Sequence, residues 1–335
     1  MANALVRTVL AAALLRKQQA KGLPRVRHAA RHIRIASLGV AFPLTERSAL
    51  MGGLFLGDVS LTGVDIDAYC QRIGYVGPRT PTLATLRGLL RLHPAAIPYE
   101  AIDVRLGVRI ELAPAAVDAK LIRAGRGGYC FEQNTLLLRV LLELGFFAEP
   151  LSARPRWRRP PHERVARTHM ALRVRIDERD WLADVGFGSS MLTVPLDMSV
   201  REPQATIHEP VRLTPLPGEL RIERQFGDDW LPLYDLLLAP QEAIDLMVAN
   251  WAISTHPASS FHEHVVISRT RDDIRHVLVD TRLTTRRTGA EVEHRDLDAA
   301  ELEQSVVEDF GLPIQETWRP LFADLAGRAS REVRP

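Results

Sequence analysis

The spacing of apolar residues changes near Pro150, and this change limits the fold more than any other feature of the sequence. Between Asp65 and Gly145, apolar residues recur every three to four positions, which is the spacing of amphipathic helices. Asp65 and Thr82 are suited to cap the starts of helices, and Gly145 is suited to end one. The first part of the chain is therefore predicted to be helical.

Beyond Pro150 the pattern alternates, which is typical of strands. In THMALRVRI one face carries only apolar side chains, those of Met170, Leu172, Val174 and Ile176. DERD is predicted to form the turn before a second strand, WLADVGFG. Further strands are predicted in 210–238 and 264–293, and AAELEQSVVEDFG is predicted as the last helix. Helices and strands in separate stretches indicate an α+β fold.

Composition excludes several classes of protein. A chain of 335 residues, 46% of them hydrophobic, can fill a sizeable core. A net charge of +2 without a recognisable module argues against a nucleic-acid binder. Two cysteines 60 positions apart make no disulfide framework, and no Cys/His spacing indicates a metal site. No apolar run approaches the roughly 20 residues that span a bilayer, so we expect a cytoplasmic protein with no membrane span.

The N-terminal stretch differs from the rest of the chain in charge. From Met1 to Thr45 there are eight Lys or Arg residues and no acidic residue. Residues 1–60 are interpreted as a basic extension, disordered or separable, which serves as an amphipathic arm or a targeting-like segment. Alternatively, the functional protein begins at Met51 or Val64. A secretory signal fits poorly, because no small-residue cleavage site follows TVLAAALL.

The stretch RGGYCFEQN, residues 126–134, contains the cysteine best placed for chemistry. Gly127 and Gly128 permit unusual backbone angles and close approach. The residues after Cys130 repeat with one apolar stripe, so Cys130 is predicted to lie at a helix N-terminus. The macrodipole and free N–H groups there would lower the thiol pKa and favour a nucleophilic thiolate. A buried structural cysteine is the alternative interpretation, and the residues alone leave both open.

His169 and Asp184 are candidate partners for that thiol. His169 opens the alternating strand on the face opposite Met170, where a surface histidine is the ordinary alternative. Asp184 lies within an apolar strand, where an unpaired carboxylate would be costly. A cysteine, a histidine base and an orienting carboxylate form a known catalytic arrangement. With DERD as a symmetric four-residue loop, however, His169 pairs opposite Gly188, so we expect a shifted register or a bulge.

With these spacings in place, the sequence resembles the arylamine N-acetyltransferase family over roughly residues 64–330. The resemblance rests on RGGYCFEQN, on THM 39 residues after the cysteine, and on DVGFG, whose aspartate follows 15 residues later. The segments DIDAYCQRIGYVGPRTPTLATLRGLLRLHPAAIPYEAIDV and NWAISTHPASSF support it. The resemblance implies three units with a papain-like triad arrangement. These are a helical bundle (61–148) carrying the cysteine, a central β-barrel (149–262) carrying His169 and Asp184, and an α/β lid (263–335).

The chemistry implied by the resemblance is ping-pong acetyl transfer. Acetyl-CoA is the expected co-substrate, no cofactor is permanently bound, and Cys130 becomes acetylated before an arylamine, hydrazine or arylhydroxylamine takes the group. His169 would accept the thiol proton, Asp184 would hold the imidazole, and the Cys130 N–H is a candidate oxyanion donor. A homodimer is compatible with the sequence but not indicated by it.

Other site residues follow from the resemblance alone. Arg126 and Glu132 are expected to form a buried structural ion pair that fixes the loop. The residues expected to bind the substrate or CoA are Tyr99, Thr168, Gly186, Phe187, Gly188 and Phe261. Of these, the three aromatic rings would line the acceptor pocket, and the two glycines would leave room for the pantetheine arm.

Two departures from the family pattern concern specificity. Tyr99-Glu100-Ala101 stands where the family often has Phe-Glu-Asn, and Ala153-Arg154-Pro155 stands where it has Ala-Arg-Val. The second is followed by the basic, proline-rich RWRRPPHER, which is either a solvated loop or a loop that affects acceptor choice or meets CoA phosphates. The rival functions are an amide synthase of the same family with another acyl donor, a cysteine hydrolase, and a non-catalytic protein of this fold.

Overall fold

The computed structural model describes residues 63–332, and the predictions for residues 1–60 lie outside this range. Helix α1 spans Ile66–Ile73 and α2 spans Leu83–Ala96. The Asp65 carboxylate accepts from the Ala68 N–H at 2.9 Å, and the Thr82 hydroxyl accepts from the Thr85 N–H at 3.3 Å. Both predicted N-caps are therefore confirmed, since each satisfies a backbone donor that the helix itself leaves free.

The central helix of the first part is α5, Cys130–Glu143. It is buried on nearly all sides, and Gly145 follows its end with a φ of 83°, where glycine carries no penalty. Before it come α3 (Ile102–Arg105), α4 (Pro114–Val117) and a π-helical turn, Asp118–Arg123. The prediction of a helical first part is confirmed.

A seven-stranded antiparallel sheet follows α5, in the order β5-β4-β3-β2-β8-β7-β6. Its strands are β2 (Phe147–Pro155), β3 (His169–Ile176), β4 (Arg179–Ala183), β5 (Leu196–Asp197), β6 (Val211–Leu216), β7 (Glu219–Phe226) and β8 (Asp229–Leu237). Gln204 links the two edges: its backbone pairs with Val211 of β6, and its side chain bonds the backbone of Asp197 in β5. The sheet is thus curled rather than flat.

The β3–β4 hairpin answers the question of register. Ile176 pairs with Arg179, so the turn consists of Asp177 and Glu178 alone, with φ values of 49° and 64°. The prediction of a four-residue DERD loop was therefore wrong by two residues. The turn is shorter because Asp177 and Glu178 both adopt the left-handed conformation that a two-residue hairpin turn requires. In this register Leu172 pairs with Ala183, and no bulge interrupts the ladder.

The other sheet has five strands, in the order β1-β9-β10-β11-β12. They are β1 (Tyr99–Glu100), β9 (Val266–Arg271), β10 (Ile274–Val279), β11 (Arg282–Arg287) and β12 (Glu293–Asp296). Strand β1 comes from the helical part of the chain, so this sheet ties the beginning of the described chain to its end.

Three helices complete the described chain: α6 (Ala243–Thr255), α7 (Ala299–Glu308) and α8 (Arg319–Glu332). The AAELEQSVVEDFG segment forms α7 as predicted, but it is not the last helix, because α8 follows it and buries Leu321 and Phe322. Within residues 63–332, no helix has the length and hydropathy needed to cross a membrane.

Candidate active site

Cys130 is the first residue of α5, and the glycine pair before it is required by close packing. A Cβ on Gly127 would lie 2.1 Å from the Pro98 carbonyl oxygen, and a Cβ on Gly128 would lie 2.9 Å from the Glu132 side chain. Neither glycine has a positive φ, so close approach is their role and not unusual backbone angles. The position of Cys130 at a helix N-terminus is confirmed.

The Cys130 side chain is buried, and burial dominates its acidity. Burial, followed by the charge of Asp184, raises the pKa of the thiol to about 12, while hydrogen bonds from the Met170 and Phe131 N–H groups act in the opposite direction. The N–H of Phe131 at the helix start does lower this pKa, but burial outweighs it, so the expected net lowering was wrong. A thiol of this acidity stays protonated at neutral pH unless a neighbouring base accepts its proton.

The His169–Asp184 pair lies beside this thiol. The Cys130 Sγ is 3.7 Å from the carbonyl oxygen of Thr168, the residue next to His169. The Nε2 of His169 lies 2.7 Å from Asp184 Oδ2, and both side chains are buried. Extending the β3–β4 register places Asp184 diagonally across from His169 on the same face, within side-chain reach. The shifted register, rather than a bulge, brings the two together.

Asn134 fixes the other side of the carboxylate. Its Nδ2 donates to Asp184 Oδ1 at 2.9 Å and to the Met170 carbonyl at 2.7 Å, and its Oδ1 accepts from the Val185 N–H. Burial would raise the pKa of Asp184, but His169 and the hydrogen bonds from Asn134 and the Gly186 N–H lower it below the usual value. Asp184 is therefore held as an oriented carboxylate. Asn134 lies one turn after Cys130, and this i, i+4 spacing is the signal that could have found it.

Aromatic rings surround the imidazole. The Phe187 ring centroid lies 4.8 Å from that of His169, and the Tyr234 ring lies 4.9 Å from it. Phe187 and Tyr234 also contact each other at 4.8 Å. Sequence reasoning missed Tyr234, because it comes from β8 and no local pattern connects it to the site.

The two glycines of DVGFG serve different purposes. A Cβ on Gly186 would lie 2.7 Å from both the Cys130 Cα and the Asn134 Nδ2, so this glycine allows the strand end to pack on the helix start. A Cβ on Gly188 would lie 3.8 Å from the Tyr99 ring, which is ordinary contact, although its φ is 47°. The expectation that Gly186 leaves room for a ligand arm is therefore corrected: that space belongs to the protein.

Phe261 approaches from the segment after α6. Its ring packs edge-on against Tyr129, the residue before Cys130, with 6.0 Å between centroids. The Tyr129 hydroxyl bonds the Asn250 side chain of α6. Phe187 therefore packs against His169 and Phe261 against Tyr129, while the Tyr99 ring lies close to Gly188.

The loop before Cys130 is held by five charged groups, here called the charge network: Glu100, Asp103, Lys120, Arg126 and Glu132. Arg126 contacts Glu100 at 2.6 Å and Asp103 at 2.9 Å. Lys120, on the π-helical turn, contacts Asp103 at 2.9 Å and Glu132 at 2.8 Å. Glu132 also accepts from the Tyr129 N–H at 3.1 Å.

The predicted direct pair between Arg126 and Glu132 was therefore wrong. Lys120 takes the place of Arg126 beside Glu132, and Arg126 lies over the Trp318 ring, 4.9 Å from its centroid. Both predicted residues still belong to the structure that holds the loop. Residues 63–332 contain no group of three or more His, Cys, Asp or Glu side chains placed to hold a metal ion.

Comparisons with known proteins agree on one family. A sequence model for a family described as N-acetyltransferase matches residues 82–319. The arylamine N-acetyltransferase of Mycolicibacterium smegmatis is 38% identical over 269 residues, covering 79% of this chain and 95% of the relative. A Salmonella typhimurium relative, named arylamine N-acetyltransferase / N-hydroxyarylamine O-acetyltransferase, is 33% identical over 250 residues, covering 74% and 87%.

A solved structure gives the same result in three dimensions. The arylamine N-acetyltransferase of Mycobacterium marinum in complex with CoA superposes with a TM-score of 0.75 at 35% sequence identity. The alignment covers 78% of this chain and 99% of that one.

Proposed function

Because the chain belongs to the arylamine N-acetyltransferase family of acyltransferases, we propose that it moves an acetyl group from acetyl-CoA through a thioester on Cys130 to an aromatic amine. A hydrazine or an arylhydroxylamine serves as acceptor in the same way. The observation that carries the proposal is the bond from His169 Nε2 to Asp184, which leaves Nδ1 to exchange a proton with the buried Cys130 thiol beside it.

The first half-reaction begins with the thiol proton. His169 Nδ1 accepts it, and the resulting thiolate–imidazolium pair offsets the burial that keeps the isolated thiol protonated. The sulfur attacks the acetyl carbonyl, and the carbonyl oxygen gains negative charge. The N–H groups at the first turn of α5, Cys130 among them, have no acceptor within the helix and face this charge. The bond to the CoA sulfur then breaks, and His169 returns the proton to that sulfur.

The second half-reaction reverses the roles. An amine nitrogen attacks the acetyl carbonyl of the Cys130 thioester while His169 Nδ1 takes a proton from the amine. The carbon–sulfur bond breaks, the amide leaves, and the proton returns to the Cys130 thiol. Asp184, held by Asn134 and Gly186, keeps the imidazole in the orientation that both steps need.

The aromatic side chains suit an aromatic acceptor. Tyr99, Phe187 and Phe261 offer flat apolar surface close to Cys130, on which an aryl ring can pack while its amine reaches the thioester. The three parts of the chain contribute differently: residues 61–148 supply the nucleophile, and 149–262 supply the base, the orienting carboxylate and Phe261. Residues 263–335 supply four of the five strands of the second sheet.

Intact-protein mass spectrometry with acetyl-CoA and no amine tests the proposal. We expect a gain of one acetyl group, mapped by digestion to Cys130, and its loss when an arylamine is added. Cys130→Ala serves as the control and should gain no mass. Acetylation of this variant at the wild-type rate would contradict the covalent role of Cys130.

Two substitutions test the partners of the cysteine. We expect His169→Gln and Asp184→Asn each to slow acetylation of Cys130 by about 10³- to 10⁴-fold, because each removes a member of a unit that acts together. Loss of the thioester to water at the same rate with and without amine would instead indicate a cysteine hydrolase. Acetylation only by a donor other than acetyl-CoA would indicate the amide synthase.

A further inference from the structure

Helix α6 buries two polar side chains while large apolar ones stay exposed, although a helix on a protein surface usually turns its apolar stripe inward. The side chains that it buries, at intervals of four residues, are those of Leu246, Asn250 and Ser254. The large apolar side chains that it exposes are those of Ile244, Val248 and Trp251. A buried amide is costly unless it is hydrogen-bonded, so the position of Asn250 is explained by the bonds that it makes.

Asn250 uses both ends of its side-chain amide. Its Oδ1 accepts from the Tyr129 hydroxyl, and its Nδ2 donates to the Ile110 carbonyl at 3.1 Å. Because the Ile110 carbonyl can only accept, it must face the NH₂ group, which leaves Oδ1 for the Tyr129 hydroxyl. All three residues are buried. Asn250 thus joins α6 to the segment after α3 and to the residue that precedes the nucleophile.

Tyr129 connects this bond to Cys130. The Tyr129 backbone is held by α5, because its N–H donates to Glu132 Oε2 at 3.1 Å and its carbonyl accepts from the Gln133 N–H at 3.0 Å. The hydroxyl at the other end of the residue is held by Asn250 of α6. Tyr129 is therefore fixed at one end by the helix that carries Cys130 and at the other end by α6.

The same ring supports Phe261, which follows α6 in the chain. The rings of Tyr129 and Phe261 meet edge to face, at an angle of 83° and with 6.0 Å between centroids. The segment from α6 to Phe261 is held by backbone bonds, from the His256 N–H to the Ala252 carbonyl and from the Ser259 N–H to the His256 carbonyl, each 2.9 Å long. A displacement of α6 would therefore move Phe261 as well.

We propose that Asn250 is a positioning residue for the second half-reaction: through the Tyr129 hydroxyl, it fixes the distance between Cys130 and the Phe261 ring. This inference rests on the proposed function, because it assumes an acetylated Cys130 and an aromatic acceptor that packs on Phe261. An aromatic amine depends on this distance, since its ring must pack while its nitrogen reaches the thioester. Hydrazine has no ring and does not depend on it.

The first half-reaction should not depend on this bond. His169 accepts the thiol proton, and its imidazole is held by Asp184, which in turn is held by Asn134 and the Gly186 N–H. These bonds are separate from the one between Tyr129 and Asn250. Loss of that bond should therefore affect the acceptor step and leave acetylation by acetyl-CoA unchanged, which a general loss of structure would not do.

The test measures the two half-reactions separately for the wild type, for Tyr129→Phe and for Asn250→Ala. Acetylation of Cys130 by acetyl-CoA is followed by intact mass without amine, and removal of the acetyl group is then followed after aniline or hydrazine is added. Each variant removes the hydroxyl–amide bond from one side. We expect each to slow removal by aniline about tenfold, and to leave acetylation and removal by hydrazine within about twofold of wild type.

Tyr69→Phe is the matched control. Tyr69 is fully buried, as Tyr129 is, and its hydroxyl bonds a buried side chain, that of His93, at 2.9 Å. The control therefore removes a buried tyrosine hydroxyl from its bond between α1 and α2. We expect it to lower the urea midpoint about as much as Tyr129→Phe does and to leave all three rates unchanged.

Other results would overturn the proposal. Equal slowing with aniline and hydrazine, or slower acetylation by acetyl-CoA, would mean that the bond serves Cys130 itself and not the acceptor surface. Unchanged rates in both variants would mean that the bond has no part in the reaction. The same pattern of rates in Tyr69→Phe would indicate a general effect of lost stability.

The folded state of each variant is checked by circular dichroism. Failure of both Tyr129→Phe and Asn250→Ala to fold, with Tyr69→Phe folded, would also overturn the proposal, because the bond would then hold the fold and not the acceptor surface. A folded wild type that acetyl-CoA does not acetylate would refute the proposed function itself, and this result is seen before any variant is compared.

Discussion

The charge network beneath Cys130 and the arginine cleft differ in how their charges are balanced. In the network, two cations contact three carboxylates, and each member touches at least one opposite charge. In the arginine cleft, a cavity between the two sheets, Arg158, Arg224, Arg282 and Arg286 face the open volume. Glu209, which lies beside Arg224, is shared with Arg275. The first arrangement is complete without a ligand and fixes a loop. The second is incomplete and suits a site that a charged molecule enters.

The packing around Cys130 is also tighter than the packing around the arginine cleft. Around Cys130 the glycines leave no room even for a methyl group, since a Cβ on Gly186 would meet the Cys130 backbone. The arginine cleft holds about 370 Å³ of open volume. A tightly packed site around the nucleophile and an open, positively charged cleft thus lie within one fold, and substitutions should cost more stability in the first than in the second.

The largest effect is expected for Lys120→Met. It leaves Glu100, Asp103 and Glu132 buried with Arg126 as their remaining cation in the network. Removal of one partner from a buried charge cluster costs about 3–5 kcal/mol of unfolding free energy. Urea denaturation followed by circular dichroism measures it. Arg91→Gln, which breaks the exposed pair with Asp272, is the control and should leave the unfolding free energy nearly unchanged. Equal losses of unfolding free energy in the two variants would contradict the structural role of the charge network.

Gly186→Ala should have the next largest effect. The added methyl group would lie 2.7 Å from the Cys130 Cα, so either the helix start or the strand end must shift, at about 1–3 kcal/mol. Acetylation of Cys130 should slow as well, because its backbone moves relative to His169. Gly188→Ala is the comparison: its methyl group meets the Tyr99 ring at ordinary distance, and only its φ of 47° causes strain. A Gly186→Ala protein as active and stable as wild type would show that the packing is looser than described.

Low pH should destabilise the helical first part of the protein through His93. Its ring bonds the Tyr69 hydroxyl and the Gln133 side chain of α5, and burial lowers its pKa to about 4. Between pH 6.5 and 4 the unfolded chain binds a proton that the folded protein excludes, so stability falls as pH falls, by up to about 1.4 kcal/mol per unit. His93→Gln cannot take up this proton, and its urea midpoint should depend less on pH over this range. An unchanged slope would exclude His93 as the cause.

The smallest effect on stability is expected for Arg286→Gln. This change removes a cation from a cluster that already has too many, so the unfolding free energy should change by less than about 0.5 kcal/mol. Urea denaturation followed by circular dichroism measures this change under the same conditions as for Lys120→Met. A stability loss as large as that of Lys120→Met would remove the contrast between the two clusters.

The helices, their caps and the helix-start position of Cys130 could be predicted from the sequence, because each depends on residues close together in the chain. The turn of the β3–β4 hairpin could not be placed, since Asp177 and Glu178 adopt left-handed angles without the glycine that normally signals them. This two-residue difference decided whether His169 and Asp184 could meet.

Contacts between residues far apart in the sequence explain the other differences between prediction and structure. Glu132 was assigned to Arg126 from the family resemblance, whereas Lys120 reaches it from the π-helical turn. Tyr234 and the arginine cleft depend on strands that the curl of one sheet and the pairing of the other bring together. No local pattern marks such residues, and for RWRRPPHER the sequence leaves open a solvated loop, an effect on acceptor choice and a contact with CoA phosphates.

The most direct test of the central claim is a rapid-mixing measurement of CoA release from acetyl-CoA in the absence of amine. A thioester on Cys130 predicts a burst of one CoA per protein, followed by little further release until an arylamine is added. Cys130→Ala should show no burst. Release that begins only after the amine is present, with no burst in the wild type, would mean that acetyl transfer occurs directly between the two substrates and would contradict the account.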